Sequence, residues 1–261
     1  MPHTAGLYYE EHGQADGPPL ILASGLGGSA GYWKPNIAAL AAQHRVIAFD
    51  QRGTGRSDRT ISDTPTIEAI GEDIAALMDA LDIQSAAIMG HAIGGMAGMS
   101  LALAAPERVS RLVVINGWAR LDPYTARCFD IRLALLRARG PRDYVYAQPI
   151  FLYPPQWVSD HHVELEEEED HLVAGFPDMD VVQRRILDAV RFDPFDQLGS
   201  LATPTLLVAS DDDALVPPAC SERMAAVMPH ATLAEMKWGG HACNVTDPDI
   251  FNNLVLDFLR S

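Results

Sequence analysis

The chain has 261 residues, 48% of them hydrophobic and 21% charged. That is too apolar for disorder, and the length suits one α/β core with an inserted subdomain better than two independent domains. Lys and Arg number 19 against 35 Asp and Glu, a formal net charge of -16, which opposes binding to a nucleic-acid backbone or an anionic lipid surface.

In chain order, the first buried-strand pattern is LILASG (20–25), a short apolar run closed by turn residues. It runs into SGLGGSAGYW (24–33), whose glycines let backbone N–H groups approach a ligand. A second run, RVIAFD (45–50), leads into the turn DQRGTG (50–55). TIEAIGEDIAALMDALDI (66–83) predicts an amphipathic helix, with Ile67, Ile70, Ile74, Leu77, Met78 and Leu81 at spacings of three and four and Thr66 as its cap. AAIMGH (86–91) and LVVING (112–117) continue the strand series, and TLLVAS (205–210) and TLAEMK (232–237) resume it before a closing helix from about Asp249 to Leu259. Alternating strands and helices imply crossovers into a mostly parallel, doubly wound sheet.

Between 120 and 200 no strand pattern occurs. Helical stretches such as YTARCFDIRLALLRARG and aromatic and proline clusters such as QPIFLYPPQW predict a helical cap over the carboxyl ends of the strands. The expected division is therefore a core at 1–119 and 201–261 with a cap at 120–200. The acidic run ELEEEED (164–170), flanked by His161, His162 and His171, reads as a solvated helix face rather than a metal site. Cys128, Cys220 and Cys243 lie far apart and are odd in number, which favours buried free thiols in a reducing cytoplasm. The opening MPHTAGLYYEEHG lacks the features of a signal peptide, and no run is long enough to span a membrane.

Three stretches carry the candidate chemistry. Gly90-His91-Ala92-Ile93-Gly94 has the G-x-S-x-G spacing of a nucleophile elbow between a strand and a helix, with Ala92 where the serine would stand. SDDDALVPP (210–218) places carboxylates after a strand, and GGHACNVTDP (239–248) places His241 on a glycine-flanked loop after the last strand. Nucleophile position, acid and histidine thus follow the chain order of α/β-hydrolases. Backbone N–H groups of Leu26 and Ile93 are the expected oxyanion hole. Asn116, Trp118, Arg120 and Gln148 are candidates to meet substrate, with packing and hinge roles as the alternative.

These stretches resemble the α/β-hydrolase superfamily and, within it, the pyrimidine-utilization protein D family. The resemblance rests on SGLGGS, DQRGTG, GHAIG, NGW (116–118), RCF (127–129), FLYP (151–154), ASDD (209–212), LVP (215–217) and above all GGHACNVTDP, and it spans nearly the whole chain. It implies that His241 is the catalytic histidine and Asp213 its acid, although Asp211 and Asp212 adjoin it and the stretch is one residue longer than the family pattern. It also implies that alanine at position 92 belongs to the family.

Without a serine oxygen no acyl-enzyme forms, yet an anion hole and a His–Asp pair can still move one proton. The resemblance implies a small-molecule substrate from pyrimidine (uracil) breakdown: carbamate, released as ammonia and carbon dioxide, or alternatively 3-aminoacrylate, converted to malonic semialdehyde and ammonia. No cofactor or metal is expected, and association into a homodimer is left open. Competing readings are a serine ester or amide hydrolase carrying a Ser→Ala replacement, a non-catalytic ligand binder, and a cofactor-free lyase or oxygenase.

Overall fold

The computed structural model describes residues 2–61 and 66–260. Among them, eight strands form one sheet: β1 (His3–Thr4), β2 (Leu7–His12), β3 (Pro19–Ala23), β4 (Arg45–Phe49), β5 (Ala86–His91), β6 (Val109–Ile115), β7 (Thr205–Ser210) and β8 (Ala231–Met236). Their spatial order is β1-β2-β4-β3-β5-β6-β7-β8. β1 and β2 pair antiparallel to their neighbours, and every other pair is parallel. This is the mostly parallel, doubly wound sheet that the strand series predicts. The antiparallel strands β1 and β2 do not stand out in the sequence, because LYYEEH mixes apolar and charged residues and is only partly buried.

Helices α1 (Lys34–Ala41), α2 (Ile67–Ala80) and α3 (Ile93–Ala104) connect the first strands. Thr66 caps α2 by accepting the Ala69 N–H at 3.1 Å, as the sequence suggests. Between β6 and β7 come α4 (Pro123–Arg139), α5 (Pro141–Leu152), α6 (Pro155–Asp160), α7 (His162–Ala174) and α8 (Met179–Arg191). The chain ends with α9 (Ala219–Ala225), α10 (Cys243–Thr246) and α11 (Pro248–Arg260).

The two-residue period of the strands divides the core. Ile21, Ala23, Ile47, Phe49, Ile88, Leu112 and Val114 pack against α2 and α3. The alternate residues Leu20, Leu22, Val46, Ala48, Met89, Val113 and Ile115 pack on the opposite face against Trp33, Leu40, Phe251 and Val255. With both faces covered, the central strands read as unbroken apolar runs.

Strand order sets the position of the site. β4 lies on one side of β3 and β5 on the other. The loops leaving β3 and β5 therefore diverge at a switch point and open a crevice at their carboxyl ends.

Candidate active site

The elbow turn is the first part of the site to be fixed by backbone. Ala92 has φ 48° and ψ -113°, a region that L-residues rarely occupy. It is held there by its N–H to Ile115 O at 2.8 Å and by its carbonyl, which accepts from Met96 N at 3.0 Å. The flanking glycines are a steric requirement: a Cβ on Gly90 would collide with Gly94, and one on Gly94 would collide with the Ala23 carbonyl. The turn thus presses α3 against the end of β3.

Leu26 lies three residues beyond that Ala23 carbonyl. Among the described residues, the Leu26 and Ile93 N–H groups donate to no acceptor. Ile93 opens α3, where backbone N–H groups have no intrahelical partner and the helix dipole is positive.

His241 reaches the elbow from the loop after β8. Its Nδ1 is 2.8 Å from Asp213 Oδ2, and both residues are buried, at 2% and 8% exposure. The Asp213 Oδ1 accepts from Leu215 N at 2.7 Å and Val216 N at 2.8 Å, which fixes the carboxylate plane. His241 Nε2 has no hydrogen-bond partner among the described residues, so the ring edge opposite Asp213 is available to a reactant. The adjacent aspartates do different work. Asp211 pairs with Lys237 at 3.1 Å on the surface, whereas Asp212 Oδ1 accepts from Gly240 N at 2.8 Å and grips the histidine loop.

His91, within the elbow frame, is a part of the site that the sequence reading passed over. Its Nε2–H donates to the His241 carbonyl at 2.8 Å, and the two rings meet edge to face at 4.6 Å. Burial, reinforced by the charge of His241, pushes the His91 pKa well below its ordinary 6.5, so this ring is a neutral prop. Tyr32 stacks on its other side at 4.9 Å and donates to Asn244 Oδ1 at 2.8 Å. A histidine directly before the elbow position was the available signal.

The four residues expected to meet substrate all make contacts within the protein. The Asn116 amide is used up within the scaffold: it donates to His241 O at 2.8 Å and Gly240 O at 3.2 Å and accepts from Ser210 N at 3.0 Å. Trp118 is buried against Phe129, with its indole N–H on Ala189 O at 3.3 Å. Arg120 is exposed and paired with Asp193 and Asp196. Gln148 Oε1 accepts from Arg132 Nη2 at 2.6 Å.

Cys243, two residues from His241, is fully buried and its thiol is pushed up to about 12, chiefly by burial, which removes it as a nucleophile. Cys220 is likewise raised, to about 11. No three His, Cys, Asp or Glu side chains gather to hold a metal among the described residues. A cavity of about 350 Å³ lies between α2 and α8, bordered by Arg52, Asp73 and Arg185, but no candidate residue lines it.

Residues 18–147 match the family model described as alpha/beta hydrolase fold. A relative from Caulobacter sp. (strain K31), carrying the name "Putative carbamate hydrolase RutD", is 50% identical over 256 residues, 97% of this chain and 96% of that protein. This chain belongs to the RutD family. A Pantoea ananatis relative of the same name is 43% identical over 97% of this chain and 93% of its own length. Among solved structures, the enol-lactonase from Burkholderia xenovorans LB400 superposes with a TM-score of 0.89 at 26% identity, covering 99% of this chain and 98% of that one. A thermophilic esterase from Thermogutta terrifontis gives 0.85 at 25% identity, covering 97% and 93%. As a RutD-family member the chain is a hydrolase of the α/β-hydrolase fold, and its described residues include no helix long and apolar enough to cross a membrane.

Proposed function

We propose that this RutD-family protein accelerates the breakdown of carbamate to ammonia and carbon dioxide in pyrimidine catabolism, using His241 and Asp213 for acid/base catalysis and no serine nucleophile. The reading is carried by one observation: a buried His–Asp pair at 2.8 Å stands beside an elbow whose side chain is a methyl group. The name "Putative carbamate hydrolase RutD" carried by a relative 50% identical to this chain supports the substrate.

Protonated His241 donates from Nε2 to the carbamate nitrogen. The C–N electron pair then leaves with ammonia while an oxygen lone pair of the carboxylate closes the second C=O bond of carbon dioxide. His241 is left neutral and regains its proton from water. Asp213 orients the ring and stabilises its charged form, and the Leu26 and Ile93 N–H groups hold the carboxylate. The helical segment at 120–200 serves as the cap, a role supported by the Ala242 N–H to Leu152 O bond of 3.0 Å and the Thr125 hydroxyl on Leu215 O at 2.9 Å. Free buried thiols support a cytoplasmic setting.

A positioned proton donor contributes roughly 10²- to 10⁴-fold. Ammonia release from freshly generated carbamate near neutral pH is expected to exceed that in buffer, and His241→Ala and Asp213→Asn are expected to lose that acceleration. An unchanged rate in His241→Ala overturns the assignment. If the parent protein matches buffer, carbamate is removed as substrate and 3-aminoacrylate takes its place, assayed through malonic semialdehyde. A large gain in ester hydrolysis on Ala92→Ser would instead mark a serine hydrolase scaffold.

A further inference from the structure

Arg132 sits on α4 in an environment that leaves its charge unanswered. It is 4% exposed, and among the described residues its side-chain partners are the neutral Tyr144 and Gln148 rather than a carboxylate. Its guanidinium is ringed by Phe129, Tyr144 and Phe151, with ring centroids 5.2, 5.4 and 5.6 Å away. Aromatic faces attract a cation but accept no directed hydrogen bond of the kind its N–H groups offer. Its Nη2 donates to the Tyr144 hydroxyl at 3.0 Å and to Gln148 Oε1 at 2.6 Å, while Nε has no partner. A buried guanidinium that is neither ion-paired nor fully hydrogen-bonded is costly, and its unused N–H groups are a place where an anion can complete the set.

The donors around it share one direction of need. Tyr144 accepts from Arg132 and keeps its own proton to give, and Gln148 spends its oxygen on Arg132, which leaves its amide N–H groups unused. The cluster therefore has donors in surplus and no acceptor.

Helix geometry relates the cluster to the catalytic pair. Cys128 is one turn before Arg132 on the same face of α4, and its Sγ is 3.7 Å from the carbonyl of Ala214, the residue after Asp213. On the other side, Phe151 directly precedes Leu152, whose carbonyl accepts the N–H of Ala242, the residue after His241. Arg132 is thus framed by two segments that touch the acid loop and the histidine loop.

We propose that Arg132, with Tyr144 and Gln148, forms an anion subsite, distinct from the Leu26 and Ile93 N–H pair, that takes up a small carboxylate and so favours anionic over neutral substrates. The inference deepens the proposed function and rests on it for the identity of the reacting molecule. It also answers how a chain with a net charge of -16 admits an anion: one buried, uncompensated cation reverses the field locally.

The test uses the full chain with unreactive probes, acetate and its neutral isostere acetamide, measured by calorimetry near neutral pH. Acetate is expected to bind and acetamide to bind at least tenfold more weakly in the parent protein, a comparison that needs no variant. Arg132→Gln is expected to raise the acetate Kd about 10- to 100-fold, the range for a hydrogen bond to a charged group, with Arg132→Lys intermediate. The same variants are expected to raise KM for carbamate more than they lower kcat, which a purely structural residue would not do. Equal binding of acetate and acetamide, no acetate binding by the parent, or an acetate Kd unchanged in Arg132→Gln would each overturn the subsite. Acetate binding that depends on Arg132 without carbamate turnover would sink the proposed reaction and leave the subsite standing.

Discussion

At the level of single residues, Ala92 shows how much of an elbow turn is backbone. Its φ of 48° and ψ of -113° persist without a nucleophilic side chain, because its own N–H and carbonyl are bonded to Ile115 and Met96 and because Gly90 and Gly94 let the strand and helix close tightly around the turn. Such a conformation typically costs a non-glycine residue on the order of 1–3 kcal/mol. Ala92→Gly is therefore expected to raise the unfolding free energy by about 1 kcal/mol, read from the urea midpoint at constant m-value. A lower midpoint would show that the Ala92 methyl is needed for packing rather than strained. The glycine spacing was legible in the sequence, but which of three consecutive aspartates meets His241 was not. That choice depends on how the chain turns after β7, which points Asp213 inward, Asp212 at the histidine loop and Asp211 at Lys237.

Among the structural elements, the loop after β8 is held in place chiefly by polar groups from neighbouring strands. Asn116 follows β6 in a left-handed conformation, φ 49°, which asparagine tolerates better than most residues. From there its amide bonds both the β7 end and the His241 loop. Asn116→Asp is isosteric but replaces the donor with an oxygen facing two carbonyls. It is expected to cost about 2 kcal/mol or more of stability and to lower carbamate turnover together with it, checked by denaturant titration and ammonia release. Unchanged stability would mean that the loop is anchored elsewhere. In the sequence a polar residue after a buried strand looks the same whether it faces a ligand or a neighbouring loop, and only the fold shows the Asn116 amide bonded to the His241 loop. The same holds for Trp118, folded into the core, and Arg120, turned to a surface ion pair.

Across the whole molecule, buried histidines couple stability to pH. Burial, then the charge of His241, holds His91 well below its ordinary pKa of 6.5, and burial lowers His44 as well. Below about pH 6.5 the unfolded chain binds protons that the folded one refuses, so the stabilisation present above that pH is lost as pH falls. A single histidine kept neutral contributes a slope of up to about 1.4 kcal/mol per pH unit in that window. Urea titrations at pH 7 and pH 5.5 are expected to show the loss, and His91→Gln to show a smaller one. An equal slope in parent and variant would place the proton-linked stability in other groups.

The alternation of apolar runs with helical patterns determined the doubly wound sheet, because strands covered on both faces must be apolar throughout and the chain order of elbow, acid and histidine needs only local spacing to be read. Tertiary structure alone decided that His91 props the His241 carbonyl, that Asp212 and Asn116 clamp its loop, and that Arg132 is buried without a counter-ion. Those relations join residues 28 to 150 positions apart or depend on a charge that no nearby residue answers. One-dimensional spacing cannot encode either, because burial and partnership are set by which distant segments the sheet order brings together.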